Sequence, residues 1–207
     1  MTFLRTSALL LALPAFALAA EPLYSNDFEK SEVGVVPKDF LVIGGSFTVQ
    51  ADGANKVLEL PGAPLDMFGA MFGPSVEAGV CASGKFFGTS VGRKFPAFGI
   101  SANGYRLQVS AGKKAVEIFK GDESRVSVPF EWKSGTWTSL RIQLRKAASG
   151  LWMIEGRAWP AGSPEPKDWT ISLEEKDAPA AGRPGIWGSP FSGTPIRFDD
   201  LLVEPAH

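Results

Sequence analysis

The feature that most constrains the fold is the dense spacing of glycine and proline along the chain. The sequence contains 23 glycines and 16 prolines among its 207 residues, and they divide it into short apolar runs. No long window keeps a helical period with capping residues. The runs instead alternate apolar and polar residues, as half-buried strands do. An all-β fold is therefore predicted, because the strands follow one another without intervening helices.

The runs and the turn residues between them predict where the strands lie. Residues 137–145 and 151–159 are expected to pair as a hairpin, and the segment from residue 98 to residue 128 is expected to form a meander with a turn at Asn103-Gly104. Gly44-Gly45 predicts a bulge or bend within residues 40–50. Strands are predicted over residues 23–28, 40–50, 56–60, 68–72, 76–83, 98–101, 105–110, 115–119, 125–128, 137–145, 151–159, 169–173, 185–188 and 195–203.

The last predicted strand changes phase in its middle. Ile196 and Phe198 share one face, but the next apolar residues, Leu201 and Val203, are in phase with Asp199. A period of two residues changes phase only where one residue is inserted. The sequence therefore predicts a β-bulge near Asp199 and Asp200, with fraying of the strand as the alternative.

The first residues have the pattern of a secretory signal peptide. A single charge, Arg5, precedes the apolar run 8–18, and Ala17-Leu18-Ala19 fits the small-residue rule for cleavage. A signal peptide over residues 1–19 is predicted, with cleavage after Ala19 or Ala20 and an uncleaved anchor as the alternative. Residues 20–207 then form a single domain that is exported to the periplasm or the extracellular space, with no transmembrane segment left after cleavage.

Charge and rare residues exclude several functions. The formal net charge of −1 offers no footprint for nucleic acid. Cys81 is the only cysteine and lies in a strand-like apolar segment, so a buried structural thiol is expected. His207 is the only histidine. The sequence therefore argues against Ser-His-Asp catalysis, Cys-His catalysis and a histidine-rich zinc site.

Five motifs, in their order along the chain, resemble the concanavalin A-like lectin/glucanase superfamily. They are LYSNDFE (23–29), WTSLRIQLRK (137–146), GLWMIEGRAW (150–159), GRPGIWG (182–188) and TPIRFDDLLV (194–203). The closing motifs are similar to secreted bacterial domains related to the 3-keto-disaccharide hydrolase and laminin-G-like groups. The resemblance implies a jelly-roll β-sandwich of two antiparallel sheets in which the N- and C-terminal strands are adjacent.

The resemblance also implies two candidate sites, one for a metal ion and one for a sugar. Many domains of this fold hold a structural calcium near the paired termini, where the candidate ligands here are Asp27, Glu29, Asp199 and Asp200; the alternative is that these carboxylates cap turns or face solvent. A concave sheet face binds sugars in this superfamily, through polar groups and aromatic rings. The alternative is an ordinary solvated face. The candidate ligand-binding residues are Arg106, Gln108, Arg141, Gln143, Glu155, Arg157, Trp159 and Trp187.

The residues leave three functions open. The first is a secreted glycan-binding protein that holds a poly- or oligosaccharide and requires no cofactor. The second is a sugar hydrolase resembling the 3-keto-disaccharide hydrolases, with Glu155 or Glu117 as general acid/base. The E-x-D-x-x-E motif of the superfamily's glucanases is absent; the nearest string, EKDAPA (175–180), ends on alanine. The third is a structural or adhesion module that binds protein. The oligomeric state is left open.

Overall fold

A computed structural model describes residues 21–63, 66–77 and 79–206. Within these residues the only helix is a 3₁₀ turn, Ala111–Lys113. That turn is much too short to cross a membrane. The strands are β1 Tyr24–Asn26, β2 Leu41–Gly44, β3 Thr48–Asp52, β4 Asn55–Leu60, β5 Phe68–Met71, β6 Val80–Phe87, β7 Ala97–Ala102, β8 Tyr105–Ser110, β9 Ala115–Lys120, β10 Glu123–Pro129, β11 Thr138–Lys146, β12 Trp152–Pro160, β13 Ile171–Glu175, β14 Gly185–Ser189 and β15 Ile196–Pro205.

The strands form two antiparallel sheets. Sheet A has the order β13-β12-β11-β6-β15-β4-β3, and β1 pairs with β15 beside this path. Sheet B has the order β10-β9-β8-β7-β14-β5-β2. The predicted all-β sandwich of two antiparallel sheets is confirmed. The predicted β11–β12 hairpin and the β7–β10 meander are both present, each with antiparallel pairing.

The two ends of the described chain pair with each other. Tyr24 of β1 lies opposite Val203 of β15, as expected for adjacent N- and C-terminal strands. The predicted signal peptide, residues 1–19 with its cleavage after Ala19 or Ala20, and the terminal His207 lie outside the described residues.

The predicted bulge in the last strand is confirmed. Asp199 lies opposite Lys85 of β6, whereas Leu202 lies opposite Ser83, so β15 advances three residues while β6 advances two. Asp200 is the inserted residue and has a φ of 48°, in the left-handed region. The insertion returns the apolar side chains after Asp200 to the core face.

Residues 40–50 were predicted as one strand with a bend, and this prediction is wrong. They form two strands in different sheets, β2 in sheet B and β3 in sheet A. Gly45 makes the crossing with a φ of 96°, and a Cβ atom there would lie 2.9 Å from Cβ of Phe68. The glycine pair therefore moves the chain from one layer of the sandwich to the other.

The core lies between the two sheets. It is built from the side chains that point inward, which are alternate residues along each strand. Phe86 of sheet A stacks on Phe98 of sheet B, with ring centroids 5.6 Å apart, and meets Phe198 edge-on at 5.5 Å. Leu107 packs against Gly156 of β12 so closely that a Cβ atom on the glycine would collide with it. This contact fixes the spacing of the sheets at the centre of the sandwich.

Candidate functional site

The candidate ligand-binding residues lie on two opposite faces of the sandwich. Arg106, Gln108 and Trp187 are on the outer face of sheet B, because their neighbours Leu107, Val109 and Ile186 are core residues. The other candidates are on the outer face of sheet A: Arg141, Gln143, Glu155, Arg157 and Trp159. The prediction of one shared face is therefore wrong. Alternation shows which side of a strand is polar but not which sheet the strand joins.

The outer face of sheet A is closed by its own ion pairs. Oε1 of Glu165, in the loop between β12 and β13, lies 3.0 Å from Nε of Arg141 and 2.6 Å from Nη1 of Arg157. Arg141 also contacts Glu204 of β15 at 3.0 Å. Arg157 stacks on the ring of Trp169, with its Cζ atom 3.9 Å from the centroid. The loop is thus held down across β11 and β12.

Glu155 is an ion-pair partner rather than a free acid. Arg145 donates to it in bidentate geometry, from Nε to Oε2 at 2.8 Å and from Nη2 to Oε1 at 3.0 Å. Gln143 also donates to Oε2, at 3.3 Å. Bidentate arginine–carboxylate pairs of this kind are among the strong hydrogen bonds of proteins. The depression beside it, of about 320 Å³, is lined by arginines that already face carboxylates.

Glu117, the other carboxylate considered for a hydrolase, lies on the outer face of sheet B. It accepts hydrogen bonds from Ser110, from Ser124 at 2.9 Å and from Lys113 at 3.2 Å. Burial alone would raise the pKa of Glu117, but these bonds and the charge of Lys113 outweigh it and lower the pKa. Because the core separates Glu117 from Glu155, the two carboxylates cannot flank one glycosidic bond.

The outer face of sheet B presents a different arrangement, here called the Trp187 face. Its outward residues line up across neighbouring strands. Trp187 lies between Gly69 of β5 and Gly99 of β7, so neither cross-strand neighbour has a side chain to cover the indole. The residues that define the Trp187 face in this article are Gly69, Met71, Gly99, Ser101, Arg106, Gln108, Glu117, Phe119, Gly185 and Trp187.

Arg106 is held rigidly on the Trp187 face. Its Cζ atom lies 4.6 Å from the ring centroid of Phe119 and 4.6 Å from that of Trp187. Nε donates to Oε1 of Gln108 at 3.1 Å, and Gln108 in turn donates to Ser110 at 2.8 Å. Burial lowers the pKa of Arg106, although an arginine still keeps its charge at neutral pH. The guanidinium is therefore a fixed, charged donor group.

A depression of about 290 Å³ runs beside Arg106 and Trp187. Gly69, Gly185 and Ser101 are among the residues that line it, so its floor carries little side-chain bulk. Ile43, which is 64% exposed, forms part of the apolar side. The depression therefore combines an aromatic ring, an apolar edge and oriented polar donors, the mixture that small-molecule sites use.

The register between β7 and β8 on this face follows from one short turn. Asn103 and Gly104 both have positive φ, 49° and 84°, as a two-residue hairpin turn requires. That turn sets Ser101 opposite Arg106. The predicted Asn-Gly turn therefore already indicates that Ser101 lies beside Arg106. The positions of Phe119 and of the glycines beside Trp187 are not predicted by this turn, because these residues come from other strands.

Asp27 and Glu29, two of the four carboxylates predicted as calcium ligands, hold backbone groups. Asp27 accepts the N–H of Glu29 at 3.2 Å, and Glu29 accepts the N–H of Lys56 at 2.8 Å. Asp27 also lines a depression of about 520 Å³ together with Asp200. The Asp27 contact is the turn-capping role that was the alternative to metal binding, whereas the Glu29 contact joins its loop to the start of β4.

The other pair, Asp199 and Asp200, lies in the bulge of β15. Asp199 accepts from Nδ2 of Asn55 at 2.9 Å and from the N–H of Asp200 at 2.8 Å, and burial raises its pKa. Asp200 pairs with Lys85 at 2.5 Å. Within the described part of the chain, no three acidic, histidine or cysteine side chains cluster as metal ligands do. Structural calcium stays a prediction of the sequence.

Cys81 and the tryptophans differ in how deeply they are buried. Cys81 is 1% exposed, as expected for a buried thiol, and Nη1 of Arg141 donates to it at 3.2 Å. Burial raises the pKa of this thiol. All six tryptophans are half-buried, and only Trp132 and Trp152 pack against the core.

Comparisons with solved structures identify the fold. A protein of unknown function with a galectin-like fold from Bacillus subtilis matches with a TM-score of 0.61 at 11% identity, over 90% of this chain and 96% of that chain. The Emp47p carbohydrate recognition domain matches with a TM-score of 0.60 at 8% identity, over 89% and 96%. The carbohydrate-binding module CBM66 from Bacillus subtilis matches with a TM-score of 0.55 at 11% identity, over 80% and 95%.

The chain has the concanavalin A-like jelly-roll fold. No family model and no curated protein sequence matches the chain. The identities to the solved jelly rolls are low, so the match establishes the fold and no more. The narrower resemblance to the 3-keto-disaccharide hydrolase and laminin-G-like groups stays a prediction.

Proposed function

We propose that this jelly roll is a glycan-binding protein and that the sugar lies on the Trp187 face. The arrangement that carries the proposal is a half-buried indole between two glycines, next to a rigid arginine and a shallow depression. Sugars bind through stacking of their C–H faces on aromatic rings and through hydrogen bonds to their hydroxyls. Solved domains with the same fold include a carbohydrate-binding module and a carbohydrate recognition domain.

Sheet A is less suited to this role. Its arginines are already matched by Glu155, Glu165 and Glu204, and Trp169 is covered by Arg157. A ligand there would have to displace ion pairs that hold the β12–β13 loop. On the Trp187 face, the groups that would contact a ligand are held in place by neighbouring side chains but are not occupied by ion pairs.

The test is a matched pair of tryptophan variants. Trp187→Ala and Trp159→Ala each remove one half-buried indole, from the outer faces of sheet B and sheet A respectively. Affinities for a panel of poly- and oligosaccharides, including 3-keto sugars, are measured by affinity electrophoresis and calorimetry. Stacking losses of about 1–3 kcal/mol correspond to weakening of roughly 5- to 150-fold for Trp187→Ala. Trp159→Ala is expected to bind as the unmodified protein does.

The same tubes test the hydrolase alternative. Release of sugar products by the unmodified protein would replace the binding proposal with a hydrolase, although Glu117 and Glu155 already accept hydrogen bonds from Lys113 and Arg145. Equal weakening by both tryptophan variants would contradict the placement on sheet B.

Export of the protein is part of this proposal, and N-terminal sequencing of secreted material tests whether the mature chain begins after Ala19 or Ala20.

A further inference from the structure

Arg106 has no carboxylate partner, unlike most of the partly buried arginines; Arg183 also lacks one, but its guanidinium donates to the backbone carbonyls of Gly73 and Asp39. Arg141, Arg145, Arg157 and Arg197 each lie within 3.2 Å of a glutamate or aspartate oxygen. Across residues 21–63, 66–77 and 79–206, no carboxylate oxygen lies within 4.0 Å of the Arg106 guanidinium. Its guanidinium is half-buried between two aromatic rings. No carboxylate contacts the guanidinium to balance its positive charge.

The open part of the guanidinium is its outer edge. Phe119 and Trp187 are within cation–π distance of the planar group, and Nε is bonded to Gln108. The Nη atoms have no hydrogen-bond partner among the described residues, and neither is a buried unsatisfied atom, so both reach solvent. Four N–H donors in a fixed plane thus point away from the groups that hold the side chain.

Glu117 does not neutralise this charge by contact. Hydrogen bonds connect Arg106 to Glu117 through Gln108 and Ser110. The Glu117 oxygens accept from Ser110, Ser124 and Lys113. Lys113 already balances its negative charge. Gln108 and Ser110 therefore orient Arg106, while Asp122 and Glu117 attract its charge without contacting the guanidinium.

We propose that the glycan bound on the Trp187 face is anionic, with a carboxylate or sulfate group of a sugar ring held by the Nη edge of Arg106. This inference rests on the proposed glycan-binding function and names its ligand class. Arginine binds planar and tetrahedral oxyanions through two parallel N–H donors, and such bonds are the strong ones in partly buried sites. A neutral sugar would leave this partly buried charge with no anion in contact, only the more distant Asp122 and Glu117.

The experiment uses two pairs of polymers that differ only in charge. Polygalacturonate is compared with its carboxyl-reduced form, and dextran sulfate with dextran, by calorimetry at a fixed ionic strength near 0.15 M. We expect at least one anionic polymer to bind about tenfold or more tightly than its neutral partner. The pair that shows the preference distinguishes a uronate ligand from a sulfate ester.

Three variants separate the Arg106 contact from general attraction to a polyanion. Arg106→Gln is expected to weaken binding of the anionic polymer by about 10- to 100-fold, the loss of a charge-assisted hydrogen bond. Arg106→Lys keeps the charge but not the planar fork, and an intermediate affinity is expected. Arg93→Gln removes an equal charge from an exposed loop and is expected to change affinity less than twofold. Thermal melting verifies that each variant is folded.

Each other outcome overturns the inference in a distinct way. If neutral and anionic polymers bind equally and Trp187→Ala weakens both, the glycan function stands and the anionic class is wrong. If Arg93→Gln weakens binding as much as Arg106→Gln, the preference is general surface electrostatics. If no polymer binds to the folded protein, the proposed function and this inference fail together.

Discussion

Replacing Glu165 by glutamine tests whether the loop between β12 and β13 is fastened to sheet A by charge. One carboxylate oxygen, Oε1, lies 3.0 Å from Arg141 and 2.6 Å from Arg157, and the three side chains are 18–30% exposed. Pairs at the surface contribute about 0–1 kcal/mol each, whereas charge-assisted hydrogen bonds contribute about 1.5–3 kcal/mol. The partial burial here places each contact near 1 kcal/mol. Because glutamine keeps one oxygen that can accept from an arginine, a loss of about 1–2 kcal/mol is expected for Glu165→Gln.

The assay is thermal and urea unfolding of the unmodified protein and two variants. For a domain of this size, about 2–4 °C of melting temperature corresponds to 1 kcal/mol, so Glu165→Gln is expected to melt about 2–8 °C lower. The denaturant slope is expected to stay unchanged, since the same surface is exposed on unfolding. Glu123→Gln is the control: its side chain is 75% exposed and 4.0 Å from Arg125, so its effect is expected within about 0.5 kcal/mol.

Equal melting temperatures for Glu165→Gln and Glu123→Gln would refute this reasoning. The ion pairs would then not hold the loop, and the depression lined by Arg141, Arg157 and Trp169 would be accessible to a ligand. Glycan affinity gives a second readout, because Glu165→Gln leaves the Trp187 face untouched. A variant that kept its stability but lost glycan binding would move the site to sheet A.

Three further predictions concern the core, the pH dependence and the thiol. Gly156→Ala places a methyl group against Leu107 and 2.9 Å from Ile171, so a loss of about 1–3 kcal/mol is expected by urea unfolding, whereas Gly112→Ala, with contacts of 3.8 Å or more, is the mild control. The hydrogen bonds to Glu117 lower its pKa, although burial opposes them, so the carboxylate stabilises the fold above the unfolded pKa near 4.5. Glu117→Gln is therefore expected to be less stable than the unmodified protein at pH 7. This difference in stability is expected to vanish as the pH falls through the folded pKa of Glu117. Cys81 is expected to react with a thiol reagent at pH 8 only after denaturation, and reaction at a free-thiol rate in the native state would contradict its burial.

The parts of the fold that the sequence predicts are those encoded by neighbouring residues. The Asn103-Gly104 pair determines the β7–β8 register, because both positions need positive φ. The phase change after Phe198 requires an inserted residue and so predicts the bulge at Asp200. In both cases the determining interaction lies within a few residues along the chain, where a single sequence carries the information.

The parts that were not predicted depend on which strands become neighbours. Alternation placed Arg106 and Arg141 on polar faces but carried no information on their sheets, so they were assigned to one site. Gly45 was interpreted as a bend within a strand, although a positive φ is equally compatible with a crossing between layers. Glu165 lies in a proline-rich loop with no local signal. Its role depends on two arginines that become its neighbours only after β11 and β12 have paired and the loop has folded back.

The same residue type therefore serves different purposes on the two faces of one sandwich. On sheet A, Arg141 and Arg157 are matched by carboxylates of this chain, and their charge is used to fasten a loop. On sheet B, Arg106 is oriented by two rings and an amide but is matched by no carboxylate in contact with it. A buried charge that the fold orients without neutralising is less costly when a ligand carries the counter-charge. On the face that stabilises the protein, the contacting counter-charges of the arginines come from this chain. On the face proposed to bind a glycan, the contacting counter-charge of Arg106 comes from the ligand.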